Sequence, residues 1–118
     1  MAYDQNNIFA KILRGEIPCN KVYEDTYALA FYDLYPKAKI HVLVIPKGNF
    51  LDFQDFIDRA DDAIKLGFYT AVSKVIKQLN IVDGFRFISN SGSDGGQEVP
   101  HYHVHILAGE KLGPMVGK

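Results

Sequence analysis

A basic surplus is the first thing this sequence lacks. Its 13 Lys and Arg residues stand against 14 Asp and Glu, a formal charge of −1, and neither sign gathers in a long run. A chain built to neutralise a phosphate backbone carries a positive excess, so no nucleic-acid partner is expected. Cysteine is nearly missing too. Cys19 stands alone, which excludes an intramolecular disulfide and fits a reducing compartment. No apolar stretch reaches the length needed to cross a bilayer, and MAYDQNN has neither the basic start nor the apolar core of a secretory signal. The expectation is a cytoplasmic protein with no membrane partner. No internal repeat or low-complexity tract stands out. With 118 residues, 47% hydrophobic and 23% charged, the chain is expected to fold as one domain over 1–118 with a single real core.

Periodicity supplies the elements. Ile8, Phe9, Ile12 and Leu13 make one apolar helical face, ended by Gly15 and Pro18. NKVYED and TYALAFYD read as two strands about an Asp-Thr turn, and YPKAK is a polar turn into IHVLVIP. That third run is almost wholly apolar and β-branched, so it is expected at the centre of a sheet. FLDFQDFID reads as a short helical segment. From about Asp61 to Leu79, seven apolar residues, Ile64, Phe68, Ala71, Val72, Val75, Ile76 and Leu79, recur at helical spacing, with Asn80 as the expected C-cap. FRFISN is a fourth strand, SGSDGGQ a glycine-rich loop and HYHVHILA a fifth strand. The fold class is α+β, with one long helix on an antiparallel sheet. The glycine-rich loop exceeds what a tight hairpin needs, and such loops often carry function.

Three of the four histidines lie within five residues, in PHYHVHILAG. Alternation in a strand puts His101, His103 and His105 on one face, and Tyr102, Val104 and Ile106 on the core side. The imidazoles are then expected to line a surface or cleft. One reading makes them the solvent face of a half-buried strand. A second is a metal site, since imidazole is a common ligand. Against it, the Cα atoms of His101 and His105 would lie roughly 13 Å apart, and no carboxylate accompanies them on that strand. A third is phosphoryl chemistry, in which histidines beside a glycine-rich loop supply a nucleophile, proton carriers and backbone N–H donors. Imidazole suits it because a free pKa of about 6.5 leaves much of it neutral near pH 7. His41 interrupts the apolar run IHVLVIP, where it is either a satisfied core histidine or part of the same chemistry.

HYHVHIL matches the signature of the histidine triad family, in which histidines alternate with mostly apolar residues. IFAKILRGEIP, LAFYD with HVLVIPK, and SDGGQEVPHYHVHILAG are similar to its Hint branch of nucleoside phosphoramidases, and EKLGPMV resembles bacterial Hint proteins. The likeness spans almost the whole chain and is weakest between Asn49 and Asp83. It implies a HIT-like fold: a five-stranded antiparallel sheet, one long helix and a short N-terminal helix, with the sheets of two protomers joined across a homodimer. It also implies hydrolysis of purine nucleoside phosphoramidates and related adenylates to the nucleoside monophosphate, with no cofactor.

By the same resemblance His103 attacks the α-phosphorus and carries the nucleotide, His105 contacts the phosphate, and His101 and His41 support the nucleophile. Asn90 matches a residue at the phosphate or leaving group, while Gly96 and Gln97 match loop residues that offer backbone N–H groups to it. Asp33 matches the acid that accepts the ribose hydroxyls. Ile8, Phe9, Ile12, Phe31 and Leu34 match the apolar lining of the base pocket. Glu98 stands near the leaving group where animal members have serine. Some members bind zinc through Cys-x-x-Cys, a downstream histidine and the first triad histidine. Asn7, Ala10 and Asn49 stand at the first three of those positions, so no metal is expected. Dinucleoside polyphosphate hydrolysis, as in the Fhit branch, and a nucleotide-binding adaptor with vestigial catalysis are the alternatives.

Overall fold

The computed structural model describes residues 2–117. The apolar hexapeptide after Asn7 forms helix α1 (Ile8–Leu13), and the Asn7 side chain caps it by accepting the amide hydrogen of Ala10. Two short strands follow, β1 (Lys21–Glu24) and β2 (Ala28–Tyr32). Asp25 closes the turn between them, its carboxylate accepting from the amides of Tyr27 and Ala28. The run IHVLVIP becomes β3 (Ile40–Pro46), buried over all but its first residue. Then come α2 (Phe53–Arg59), α3 (Asp62–Gln78), β4 (Phe85–Ile88) and β5 (Val104–Ala108).

The five strands form one antiparallel sheet in the order β1-β2-β3-β5-β4, which puts β3 at the centre as its composition demands. Strand alternation then divides the core in two. Ala28, Ala30, Val42, Val44, Val104 and Ile106 point to one face and pack with Phe68, Ala71, Val72 and Val75 of α3 and with Phe56 of α2. Leu29, Phe31, Leu43 and Ile45 point to the other face and pack under Phe9 of α1. Because both faces are covered, β2 and β3 are apolar at nearly every position, which hides their period of two. His41 and His105 have the parity of the second face, the one α1 covers only in part.

Two ends differ from expectation. Leu79 is the C-cap of α3, and Asn80 is the following residue, with a left-handed φ of 54° that stops the helix. Strand β5 begins at Val104 and not at His101. Its register with β3 would set Tyr102 opposite Pro46, which has no N–H for a ladder. The Tyr102 amide instead donates to Phe50 O at 2.7 Å, and that of His101 to Val99 O at 2.8 Å. The first half of the histidine run is therefore a bend. Among the described residues, no helix is long and apolar enough to cross a membrane.

Candidate active site

Between α1 and the uncovered end of the sheet lies a cavity of about 530 Å³, within the range of small-molecule sites. One wall is apolar, and Ile8, Phe9, Ile12, Phe31 and Leu34, the five residues expected there, all line it. Phe9 and Phe31 are buried edge to face, whereas Leu34 stands at the mouth, 80% exposed. The opposite wall is polar and gathers Asp33, His41, Asn90, Gly96, Glu98, His103 and His105.

The structure corrects one expectation at once: the three triad histidines do not share a cleft. The bend at Tyr102 turns His101 inward, where it is completely buried behind the cavity. Its Nε2 lies 2.9 Å from the carbonyl oxygen of Pro46, so that nitrogen carries the hydrogen and donates it. Nδ1 is left to accept, and the hydroxyl of Tyr3 donates to it. Burial pushes the His101 pKa down to about 4, leaving the ring neutral.

His103 lines the cavity and is held by its own neighbour. Its Nδ1 lies 2.7 Å from the carbonyl oxygen of His101. A carbonyl only accepts, so Nδ1 bears the hydrogen and the lone pair sits on Nε2. The edge of Phe9 packs against this ring at 4.9 Å between centroids. Desolvation lowers the His103 pKa, opposed by the His101 carbonyl and by the charges of Asp33 and Glu98.

A second set of bonds fixes His105. The amide of Lys37 donates to Nδ1 of His41 at 3.0 Å, so the hydrogen of neutral His41 is on Nε2. That Nε2 lies 2.9 Å from Nδ1 of His105 and 3.4 Å from Oδ2 of Asp33. His105 therefore accepts at Nδ1 and carries its own hydrogen on Nε2. Burial and the neighbouring rings of His103 and His41 bring its pKa down to about 4. Burial also lowers that of His41, against the attraction of Asp33. The rings of His103 and His105 lie 5.2 Å apart. The cavity thus meets two neutral imidazoles of opposite polarity, one with an available lone pair and one with a donor hydrogen.

Asp33, His41 and His105 bring ligand atoms within 4.8 Å of one another, close enough to raise the question of a metal. The hydrogen-bond pattern argues against it. A histidine bound through Nε2 normally donates Nδ1–H to a second partner. Nδ1 of His41 faces an amide donor instead, so coordination would set two hydrogens against each other. The cluster is built as a hydrogen-bond relay.

The glycine-rich loop also departs from expectation. The amides of Gly96 and Gln97, expected to face a phosphate, donate within the loop to Ser93 O and Gly92 O. The Gln97 side chain is structural: it donates to Leu51 O and Val99 O and accepts from the Gly92 amide. Glu98 and Gly96 line the cavity, and Gln97 does not. Asp33 holds the β2–β3 turn by accepting the amide hydrogen of Tyr35 at 2.8 Å, with its other oxygen toward His41.

Sequence reasoning missed Tyr3 and Lys37, together with Ile17, Pro18 and Cys19, which extend the apolar wall. Lys37 acts through its backbone, which no side-chain pattern reports. Tyr3 is 98 residues from its partner. The three wall residues follow α1 directly, and the apolar character of IPC was the available signal.

Comparison with known proteins agrees with this architecture. Residues 14–112 match the HIT domain family. An uncharacterised 13.2 kDa HIT-like protein of Azospirillum brasilense is 52% identical over 117 residues, 98% of this chain and 96% of its own length. The purine nucleoside phosphoramidase of Escherichia coli K12 is 40% identical over 113 residues, covering 95% of this chain and 94% of that protein. A histidine triad protein from Clostridium difficile superposes with a TM-score of 0.85 at 45% identity, covering 98% of this chain and all of the other. By sequence, by fold and by the histidines on its central strands, this chain belongs to the HIT family.

Proposed function

We propose that this chain hydrolyses purine nucleoside phosphoramidates, and related adenylates, at the α-phosphorus. The observation that carries the reading is the orientation of His103, whose Nδ1–H is engaged by the His101 carbonyl while Nε2 keeps its lone pair in the cavity. Nε2 attacks phosphorus, and the bond from phosphorus to the leaving nitrogen breaks as that nitrogen takes up a proton. The nucleotide is then held on His103. Water attacks the same phosphorus, the bond to His103 breaks, and water's lost proton balances the one the amine gained. Nucleoside monophosphate leaves and neutral His103 is restored. Activation by an adjacent base is unnecessary, because burial already keeps the ring neutral at pH 7.

His105 Nε2–H donates to a phosphate oxygen as charge builds on it, and Asn90 and the backbone of Glu98 hold the others. The Glu98 amide takes the part expected of Gly96 and Gln97, whose amides are bonded inside the loop. Asp33 accepts the ribose hydroxyls, and the apolar wall receives the base. The E. coli relative named a purine nucleoside phosphoramidase supports this substrate class over dinucleoside polyphosphates. A homodimer is part of the reading: β4 is an edge strand with Phe85 45% and Phe87 44% exposed, an apolar edge of the kind that a second copy covers. A cytoplasmic site of action fits the free thiol of Cys19.

The test is His103→Ala assayed with an adenosine phosphoramidate. A histidine acting only as acid or base is worth about 10²–10⁴-fold in rate, whereas loss of the nucleophile should abolish turnover and leave monophosphate binding intact. Acid quench of wild-type protein with α-labelled substrate should trap the nucleotide on a histidine as an acid-labile, base-stable adduct. Substantial turnover by His103→Ala, or no trapped adduct, refutes the assignment. Binding without turnover in wild type would favour the adaptor reading.

A further inference from the structure

We infer that Tyr3 is a positioning residue for the His103 nucleophile, acting through His101, and that this chain holds its reacting imidazole from a segment outside the 14–112 family match. The inference rests on the reading of His103 as nucleophile. It starts from a polar chain that runs through the protein interior. The Tyr3 hydroxyl donates to His101 Nδ1, His101 Nε2–H donates to Pro46 O, and the His101 carbonyl accepts from His103 Nδ1. Every polar atom of His101 is used, its amide by Val99 O, in a residue with no exposed surface.

The geometry of that chain makes Tyr3 more than a filler. His101 sits in the bend where β5 has not yet begun, so no strand ladder fixes its carbonyl. The peptide that carries it is held by the Tyr102 amide, which donates to Phe50 O, and the ring is held at one nitrogen by β3 through Pro46 and at the other by Tyr3. The Tyr3 ring meets the imidazole edge to face with centroids 5.6 Å apart, and Phe9 covers the same ring from α1 at 6.3 Å. Burial raises the Tyr3 pKa, so the phenol keeps its hydrogen and remains a donor at any working pH. Without that donor, Nδ1 of His101 is a buried acceptor with no partner, a state the protein relieves by turning the ring or admitting water. Either response loosens the bend that aims the His101 carbonyl at the hydrogen of His103, leaving the amide bonds of His101 and Tyr102 to hold it. If Nδ1 of His103 loses its acceptor, the proton can redistribute to Nε2 and the lone pair leaves the cavity. The ribose and base contacts are untouched, so the effect falls on the rate of attack and not on substrate binding.

Tyr3→Phe tests this directly, because it keeps the ring packing and removes only the hydroxyl. The expected result with an adenosine phosphoramidate is a fall in the single-turnover rate of about 3- to 10-fold, from the loss of one neutral hydrogen bond. KM and the affinity for AMP should be unchanged. The ¹⁵N resonances of the imidazoles should report it independently. Nδ1 of His101 should shift toward the value of an unbonded acceptor, and the protonated fraction at Nδ1 of His103 should drop. Site-specific incorporation of a fluorinated tyrosine at position 3, a stronger donor, should leave His103 more fully protonated at Nδ1. Unchanged rate and unchanged His103 resonances in Tyr3→Phe would overturn the inference. So would a rate loss accounted for entirely by an unfolded fraction in urea titration, and in that case the fluorinated protein should show no change either. If wild type turns over no phosphoramidate, the proposed function fails, but the imidazole resonances still decide whether Tyr3 orients His103.

Discussion

At the scale of the residue, the site works through which nitrogen of each histidine carries the hydrogen. Every assignment follows from a backbone group: the His101 carbonyl for His103, the Pro46 carbonyl for His101, and the Lys37 amide for His41 and, through it, His105. Backbone atoms do this well because they are fixed in the fold and cannot change protonation. Asp33 tests the remaining polar contact. One of its oxygens holds the Tyr35 amide, and the other is 3.4 Å from His41 Nε2, so the carboxylate serves the turn as well as any ribose. Loss of a hydrogen bond from a hydroxyl to a charged acceptor costs about 1.5–3 kcal/mol. Asp33→Asn should therefore weaken adenosine substrates by roughly tenfold or more, and 2′,3′-dideoxy analogues far less. Equal losses in kcat/KM on both would show that Asp33 supports only the turn and the His41 relay.

At the scale of the element, the loop between β4 and β5 is the part most exposed to substitution. It is held by the Gln97 carboxamide, which spans Gly92, Leu51 and Val99, and by a tight turn at Gly95. A Cβ on Gly95 would come within 3.0 Å of both the carbonyl oxygen and the amide nitrogen of Ser91, backbone atoms that cannot step aside. Gly96 follows with a φ of +75°, open to glycine at little cost. Gly95→Ala should therefore open the loop and displace Gly96 and Glu98 from the cavity wall. We expect a loss in kcat/KM on the order of tenfold or more, the usual result of misplacing a positioning group. Amide exchange in β4 and β5 should remain as slow as in wild type. A variant with normal turnover would mean that the loop does not shape the phosphate end of the site.

At the scale of the whole molecule, two properties belong to no single element. The first is assembly. The free edge of β4 carries exposed Phe85 and Phe87, while the opposite edge, β1, is guarded by the Lys21–Glu24 and Lys47–Glu24 ion pairs. Sedimentation at micromolar concentration should give about twice the 13.3 kDa chain mass. A monomer with full turnover would remove the dimer from the proposal. The second is acid sensitivity. His101 and His105 are pushed down to about 4 by burial, whereas in the unfolded chain they titrate near 6.5. Between those values the unfolded chain binds more protons than the folded one, so stability falls as pH drops from about 6.5 to about 4 and is unaffected by these groups above that window. For His101, completely buried, the full effect is on the order of 3 kcal/mol. Glu24 is also shifted down, to about 2, by its bonds to Lys21 and Lys47 and not by burial, and its contribution is lost only below about 4.5. Urea denaturation from pH 7.5 to 4.5 should thus show a decline that starts near 6.5. A flat profile down to pH 5 would contradict the neutral buried histidines.

The sequence by itself determined the elements and which strand lies at the centre of the sheet. Apolar spacing marked α1 and α3, a run almost wholly apolar and rich in β-branched residues marked β3, and the alternation of imidazoles marked a chemical face near Val104. These signals survive because they record one residue's distance from its neighbours in the chain. Only the tertiary structure decided how that face is divided. Pro46 ends the ladder that would have carried His101 into line, so the first histidine turns into the core and His41, from another strand, takes a place in the cavity beside His105. The hydrogen positions were equally out of reach, since they depend on the Lys37 amide, the Pro46 and His101 carbonyls and the Tyr3 hydroxyl. Two of these partners, Pro46 and Tyr3, lie far along the chain from the ring they orient, and the other two are backbone groups, whose direction a side-chain pattern does not record.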